Sequence, residues 1–288
     1  MESYLDLVNR ILIEGKKKDD RTGIGNLAIF GAEFKHNMEL GFPLLTTKKM
    51  YTTAIFVELE GFIKGVTDKR WYQDRKCRIW DDWCNPQKVL YGYDSETKTR
   101  MFDERDLGPI YGFQWRHFGT EYKNYDSDYS GKGIDQLGNL VKKLKTNPLD
   151  RRMIVNAWNP LDLDKMAIPP CHYSFEVSVI DDKLHLKWNQ RSVDTMLGLP
   201  FNIASYATFL KLLAKETGLK EGTLTGHLGD THIYLNHIEK AKEQLKREPY
   251  PLPELEITEF SSIFAWNYHQ VKIINYQSHP KIEFPLAV

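Results

Sequence analysis

Apolar side chains recur along this chain in two periods. Over residues 2–15, Tyr4, Leu5, Leu7, Val8, Ile11, Leu12 and Ile13 keep close to helical spacing. Lys16-Lys17-Lys18 is expected to end that helix with positive charge beside its last carbonyls. Residues 26–36 read as a strand. Residues 50–64 predict a helix with Ile55, Leu59, Phe62 and Ile63 on its apolar stripe. A third helix is expected over 133–145 through Ile134, Leu137, Leu140, Val141 and Leu144, stopped by Asn147-Pro148. Met153–Ala157 reads as a strand and Trp158-Asn159-Pro160 as a turn. Beyond it the period changes to two. Tyr173, Phe175, Val177 and Val179 share one face of a strand, and Leu184, Leu186 and Trp188 alternate with His185 and Lys187. Asp181-Asp182 between these runs reads as a hairpin turn. Phe201 to Thr217 predicts a long apolar helix that Gly218 closes. Residues 229–234 read as a strand, and Leu235 to Lys246 as an amphipathic helix stopped before Pro249. Residues 84–105 and 121–132 are polar and read as exposed connections, the former as a variable insertion or small subdomain.

Composition narrows the class. The chain has 288 residues, enough for one large core. Its 41% hydrophobic and 27% charged residues are those of ordinary soluble proteins. Lysine plus arginine equals aspartate plus glutamate at 39 each. A protein built to hold a polyanion carries a basic excess, so nucleic acid is not the expected partner. The three cysteines, Cys77, Cys84 and Cys171, are too few and too scattered for a disulfide framework or a zinc site. No apolar run approaches the ~18 residues of a membrane span, and the amino terminus, with Glu2, Asp6 and Arg10, lacks the pattern of a signal peptide. The expectation is a cytoplasmic protein with no membrane contact and no metal, folded as a single domain over 1–288.

The chemistry concentrates in residues 169–206. Pro169-Pro170 stiffens the backbone before Cys171. The thiol then stands at the mouth of a strand, where it can meet a ligand. A thiolate attacks far better than a thiol, and a cation lowers the thiol pKa. Arg191, at the end of the returning strand, is a candidate for that charge and, through its forked donors, for a phosphate clamp. Outside this stretch, Glu58 falls in the apolar stripe of its helix, which is costly unless the carboxyl is paired, protonated or functional. Asp19-Asp20-Arg21-Thr22-Gly23 is a glycine-containing loop with one arginine, which by itself reads as a turn.

Several segments together resemble the thymidylate synthase family over nearly the whole chain. They are Cys171-His172, Gln190-Arg191-Ser192 with Asp194, Leu197 to Tyr206, Ile79-Trp80-Asp81-Asp82-Trp83 and Leu107 to Arg116. The resemblance implies an α+β fold, a large mixed sheet flanked by helices that dimerises through the sheet. It implies that Cys171 adds to dUMP, that Glu58, Tyr111, His172, Asn202 and Asp194 complete the catalytic set, and that methylenetetrahydrofolate is the cosubstrate. Arg21, Arg191, Gln190, Ser192, Asn202, His232 and Tyr234 would bind the nucleotide, with Arg151 and Arg152 donated across a homodimer interface to its phosphate. Ile79, Trp80, Trp83, Asp194, Leu197, Gly198, Phe201 and Ala287 would hold the folate.

One departure bears on the product. The family usually reads Glu-Leu-Leu-Trp-Phe where this chain reads Glu58-Leu59-Glu60-Gly61-Phe62. Glycine in mid-helix costs ~1 kcal/mol relative to alanine, and losing an indole can open a space that admits water if polar groups line it. The related phage nucleotide hydroxymethylases end their reaction with water, so a dUMP hydroxymethylase is the alternative to reductive methylation. A catalytically idle relative that only binds nucleotide or RNA is the remote one.

Overall fold

The computed structural model describes residues 1–286. In chain order the elements are α1 (Glu2–Glu14), β1 (Lys16–Lys18), β2 (Asn26–Asn37), α2 (Thr52–Lys64), α3 (Lys69–Asp74), α4 (Ser95–Asp103), α5 (Tyr111–His117), α6 (Gln136–Thr146), β3 (Ile154–Asn156), β4 (His172–Ile180), β5 (Lys183–Asp194), α7 (Gly198–Thr217), β6 (Lys220–Tyr234), α8 (Ile238–Leu245), β7 (Glu254–Ile257) and β8 (Val271–Ile274). Six strands form a mixed sheet in the order β1-β2-β6-β5-β4-β3, and β7 and β8 pair separately. This is the α+β architecture expected from the sequence. The chain groups into two compact units: one holds Met1–Tyr51, Val177–Glu259 and His269 onward, the other Thr52–Glu176 and Phe260–Tyr268.

The first unit is built on β2, β5 and β6. β2 and β6 run antiparallel, from Asn26 opposite Tyr234 to Asn37 opposite Thr223. β5 and β6 run parallel, so the chain needs a crossover between them. α7 supplies it, packing on both strands. Its 20 residues include twelve buried ones, among them Ile203, Phe209, Leu210, Leu212 and Leu213. Gly218 ends it with φ 71°, the left-handed residue expected there. The two residues before β5, Asp181 and Asp182, both take positive φ, 50° and 58°, as a two-residue hairpin turn requires.

In the second unit α2 packs on α5, and α5 packs on α6 and β3. Gly65 N–H donates to Phe62 O and Val66 N–H to Gly61 O, the paired bonds of a Schellman ending for α2. Phe62 stacks on Tyr111 with centroids 4.8 Å apart and meets Trp115 edge-on.

Three elements depart from the sequence reading. Lys16–Lys18 is not a charged helix end but β1, because Gly15 closes α1 and the lysines pair with Asn26 to Ala28. α6 begins at Gln136, not 133: Asp135 accepts the Gly138 N–H at 2.8 Å as its cap, while Ile134 is exposed and bridges to Phe118. β6 starts at Lys220, nine residues before the strand read at 229–234, since Gly222 and Gly226 interrupt its alternation.

Candidate functional site

In the second unit, Cys171 is the residue immediately before β4 and is half-buried. Its backbone N–H donates to the Tyr111 hydroxyl oxygen at 2.9 Å. Tyr111 comes from the first turn of α5 and stacks on the His172 ring, centroids 4.4 Å apart. His172 is buried, and burial pushes its pKa down to about 3. It is therefore neutral at physiological pH and gives no positive charge to the thiol.

Glu58 is 8% exposed on α2. Burial raises its pKa to about 7, and the Trp80 indole opposes the rise. The indole N–H faces that carboxyl without reaching full hydrogen-bonding geometry to any group among the described residues. A carboxyl poised near neutrality can give or take a proton at working pH. Trp80 is buried, while Ile79 and Trp83 are half-buried.

Gly61 sits one turn from these groups, and its neighbour accounts for it. A Cβ there would stand 2.5 Å from Cζ of Tyr72, closer than real Cβ atoms come. Tyr72, from α3, is fully buried, and its hydroxyl donates to Val66 O at 3.0 Å. The volume that a tryptophan would take at position 61 is thus filled by the Tyr72 ring rather than left open to water. Glu60 is buried as well. It pairs with Lys64 at 2.5 Å and accepts the Tyr268 N–H at 2.9 Å, so it serves the structure.

Arg151 and Arg152, also in this unit, are both exposed. Arg152 holds Asp150 through two bonds of 3.0 Å, and Lys143 joins that carboxylate at 3.5 Å.

The first unit gathers the remaining candidates. Asp20 accepts from Thr22 N–H at 2.9 Å and from Asn26 Nδ2 at 2.8 Å, which shapes the loop that carries an exposed Arg21. Arg191 is likewise exposed, and Ser192 half-buried, on β5. The β5–β6 register sets Ser192 beside Asp230 and Asp194 beside His232. His232 Nδ1 meets Asp230 Oδ1 at 2.8 Å, Asp230 also pairs with Lys18, and the Tyr234 ring lies edge-on to His232. Asp194 accepts the N–H groups of Met196 and Leu197 at 3.0 and 3.1 Å, just ahead of α7. Leu197, Gly198, Phe201 and Asn202 follow on that helix or its cap, all half-buried. Asn202 Oδ1 accepts from Gln190 Nε2 at 3.1 Å. Ala287 lies outside the described residues.

Sequence reasoning passed over Lys48, which is 4% exposed and donates to Met196 O. Burial lowers its pKa to about 8, with Asp194 opposing. The signal was there in Thr46-Thr47-Lys48-Lys49, but nothing local says which lysine is buried.

The two sets describe a mixed-sheet α+β protein with a half-buried cysteine at a strand mouth, a buried carboxyl of raised pKa in the same unit, and two exposed arginines, Arg21 and Arg191, in the other. The sequence model of the family described as thymidylate synthase matches residues 2–288. The thymidylate synthase of Homo sapiens is 46% identical over 286 residues, 99% of this chain and 90% of that protein. The bifunctional dihydrofolate reductase-thymidylate synthase of Paramecium tetraurelia is 45% identical over 285 residues, 99% of this chain. This chain spans 61% of the length of that bifunctional protein. The chain belongs to the thymidylate synthase family.

Proposed function

We propose that this chain catalyses the reductive methylation of dUMP to dTMP, with methylenetetrahydrofolate as the cosubstrate. The observation that carries the reading is Glu58, a buried carboxyl of pKa about 7 in the unit that presents Cys171. Cys171 adds through Sγ to ring carbon 6 of the uracil, which makes carbon 5 nucleophilic. Tyr111 holds the Cys171 backbone for that attack. Glu58 exchanges protons with the pyrimidine, directly or through water. Loss of the carbon 5 proton and expulsion of Sγ from carbon 6 return the aromatic ring and the thiolate.

On the other unit, Arg21 and Arg191 hold the phosphate, with Arg151 and Arg152 supplied by the partner of a homodimer. Gln190, Ser192, His232 and Tyr234 bind the nucleotide, and Asn202 reads its pyrimidine edge. When bound, methylenetetrahydrofolate would supply the one-carbon unit to carbon 5, with its own carbon–nitrogen bond breaking, and the hydride that reduces that carbon, leaving dihydrofolate. The residues present suit it: among the described residues no acceptor meets the buried Trp80 N–H at full hydrogen-bonding geometry, and the half-buried Asp194 offers acceptor oxygens to a pterin. Ile79 and Trp83 in the one unit, and Leu197, Gly198 and Phe201 in the other, are the further residues assigned to folate binding.

The filled space at Gly61 removes the premise of the hydroxymethylase alternative, since no opening for water is left between Gly61 and Tyr72. The chain is proposed to work as one catalytic domain in the cytoplasm. No helix among the described residues is long and apolar enough to cross a membrane. Incubation with dUMP and methylenetetrahydrofolate tests the reading directly. dTMP with dihydrofolate is expected; 5-hydroxymethyl-dUMP with tetrahydrofolate would overturn it.

A further inference from the structure

Gln190 is held from both sides by groups that admit one orientation of its amide. Trp188 Nε1–H donates to Gln190 Oε1 at 3.0 Å, and an indole N–H can only donate. The Ser192 backbone oxygen accepts from Gln190 Nε2 at 3.1 Å, and a carbonyl can only accept. The NH₂ of Gln190 is thereby committed to the side of Asn202, where it donates to Oδ1. Asn202 must then turn its oxygen toward Gln190 and its own NH₂ the other way.

The indole that starts this chain of constraints is itself fixed. Trp188 is fully buried and stacks on Tyr206 with centroids 5.1 Å apart and planes 6° from parallel. Gly226, its register partner on β6, makes room for it: a Cβ there would stand 2.6 Å from Trp188 Cη2. Gln190 is 4% exposed, so water does not compete for its amide. Reversing that amide would set donor against donor at the buried Trp188 and acceptor against acceptor at the half-buried Ser192.

We propose that Trp188 and Gln190 are positioning residues for base choice, locking the Asn202 carboxamide so that its NH₂ meets the position-4 carbonyl of a uracil nucleotide and opposes the position-4 amino group of a cytosine nucleotide. The inference rests on the reading of Asn202 as the group that meets the pyrimidine edge. An unlocked asparagine could turn over and accept from cytosine with its oxygen, because its two ends are nearly the same shape. The lock makes that reversal cost the hydrogen bonds of Gln190 as well, among them the buried one from Trp188.

The test compares dUMP with dCMP, both as binding without folate by calorimetry and as kcat/KM. Gln190→Met keeps the volume and removes the lock; Trp188→Phe keeps a ring on Tyr206 and removes the N–H. Both should lower the dUMP to dCMP ratio by at least tenfold, chiefly by improving dCMP. A purely structural defect would weaken both nucleotides together, and a ratio within twofold of wild type in folded Gln190→Met overturns the lock. If Gln190→Met does not fold, Trp188→Phe decides by the same threshold. Asn202→Asp separates the two levels of the argument. If it moves the ratio while Gln190→Met does not, the lock is wrong and the base-reading role stands. If neither moves it, both are wrong.

Discussion

The ring of Tyr72 occupies the space over Gly61, with Cζ 2.5 Å from where a Cβ on Gly61 would stand. A glycine that looks like a defect in the middle of α2 is therefore one half of a matched pair. Gly61→Ala should force the Tyr72 ring to move and destabilise the protein by about 1–3 kcal/mol, the usual range for overpacking a core. Tyr72→Leu should lose about 2 kcal/mol through the opposite fault. In the double variant the two losses should add to less than their sum, because alanine takes part of the space that leucine leaves. Denaturant unfolding of the four proteins measures this; strict additivity would show that the pair does not interact. Product analysis of Tyr72→Leu adds a second readout, with 5-hydroxymethyl-dUMP expected to rise as water gains access.

Glu58 titrates from about 7 in the folded chain against an ordinary value of 4.5. The folded state therefore binds the proton more tightly than the unfolded state, and stability falls as pH rises from 4.5 through about 7. Glu58→Gln removes that loss. It should raise stability relative to wild type at pH 8, by up to about 3 kcal/mol from the size of the shift, and much less at pH 4. Turnover should fall by 10²–10⁴-fold, the range for losing a general acid–base. Thermal melts across this pH window check the sign, and an equal shift at pH 4 and pH 8 would refute it.

Tyr111 accepts the Cys171 N–H. Tyr111→Phe keeps the stack on His172 but leaves that backbone donor without its partner. Turnover should drop roughly ten- to a hundredfold, since a displaced nucleophile loses its approach geometry. The covalent adduct with fluorinated dUMP should form more slowly while still reaching completion. Cys171→Ala should form none. An adduct from Cys171→Ala would move the nucleophile elsewhere.

Arg151 is the better probe of a shared site, because Arg152 is already bound to Asp150. Cys171→Ala and Arg151→Glu chains should each be inactive alone. Mixed under conditions that exchange subunits, they should recover about a quarter of wild-type activity, the share of sites that carry both native residues in a random two-fold dimer. Exchanged hybrids that stay inactive would show that the arginine acts within its own chain.

Much of this protein was legible in the chain alone. The alternation through Tyr173 to Val179 and Leu184 to Trp188, with Asp181-Asp182 between them, was enough for the hairpin, because strand period and turn chemistry are local. α7 and its Gly218 ending were readable for the same reason, and so was Glu58 as a carboxyl in an apolar stripe. The family motifs named Cys171 and its companions by their order.

What the chain alone could not decide is what each side chain meets at long sequence separation. Gly61 read as a cost and an opening until Tyr72, eleven residues on, proved to fill it. The resemblance placed His172 in the catalytic set without saying which form it takes, and burial holds the imidazole neutral. Lys48 and Lys49 are alike in sequence, but only Lys48 is buried, and that burial lowers its pKa. Gln190 and Asn202 were both named, while the orientation of their amides depends on Trp188, itself seated by Tyr206 and Gly226. The physical reason is common to all four. Periodicity and turn preference are set by neighbours along the backbone, whereas burial, proton affinity and the direction of an amide are set by atoms that folding brings in from elsewhere.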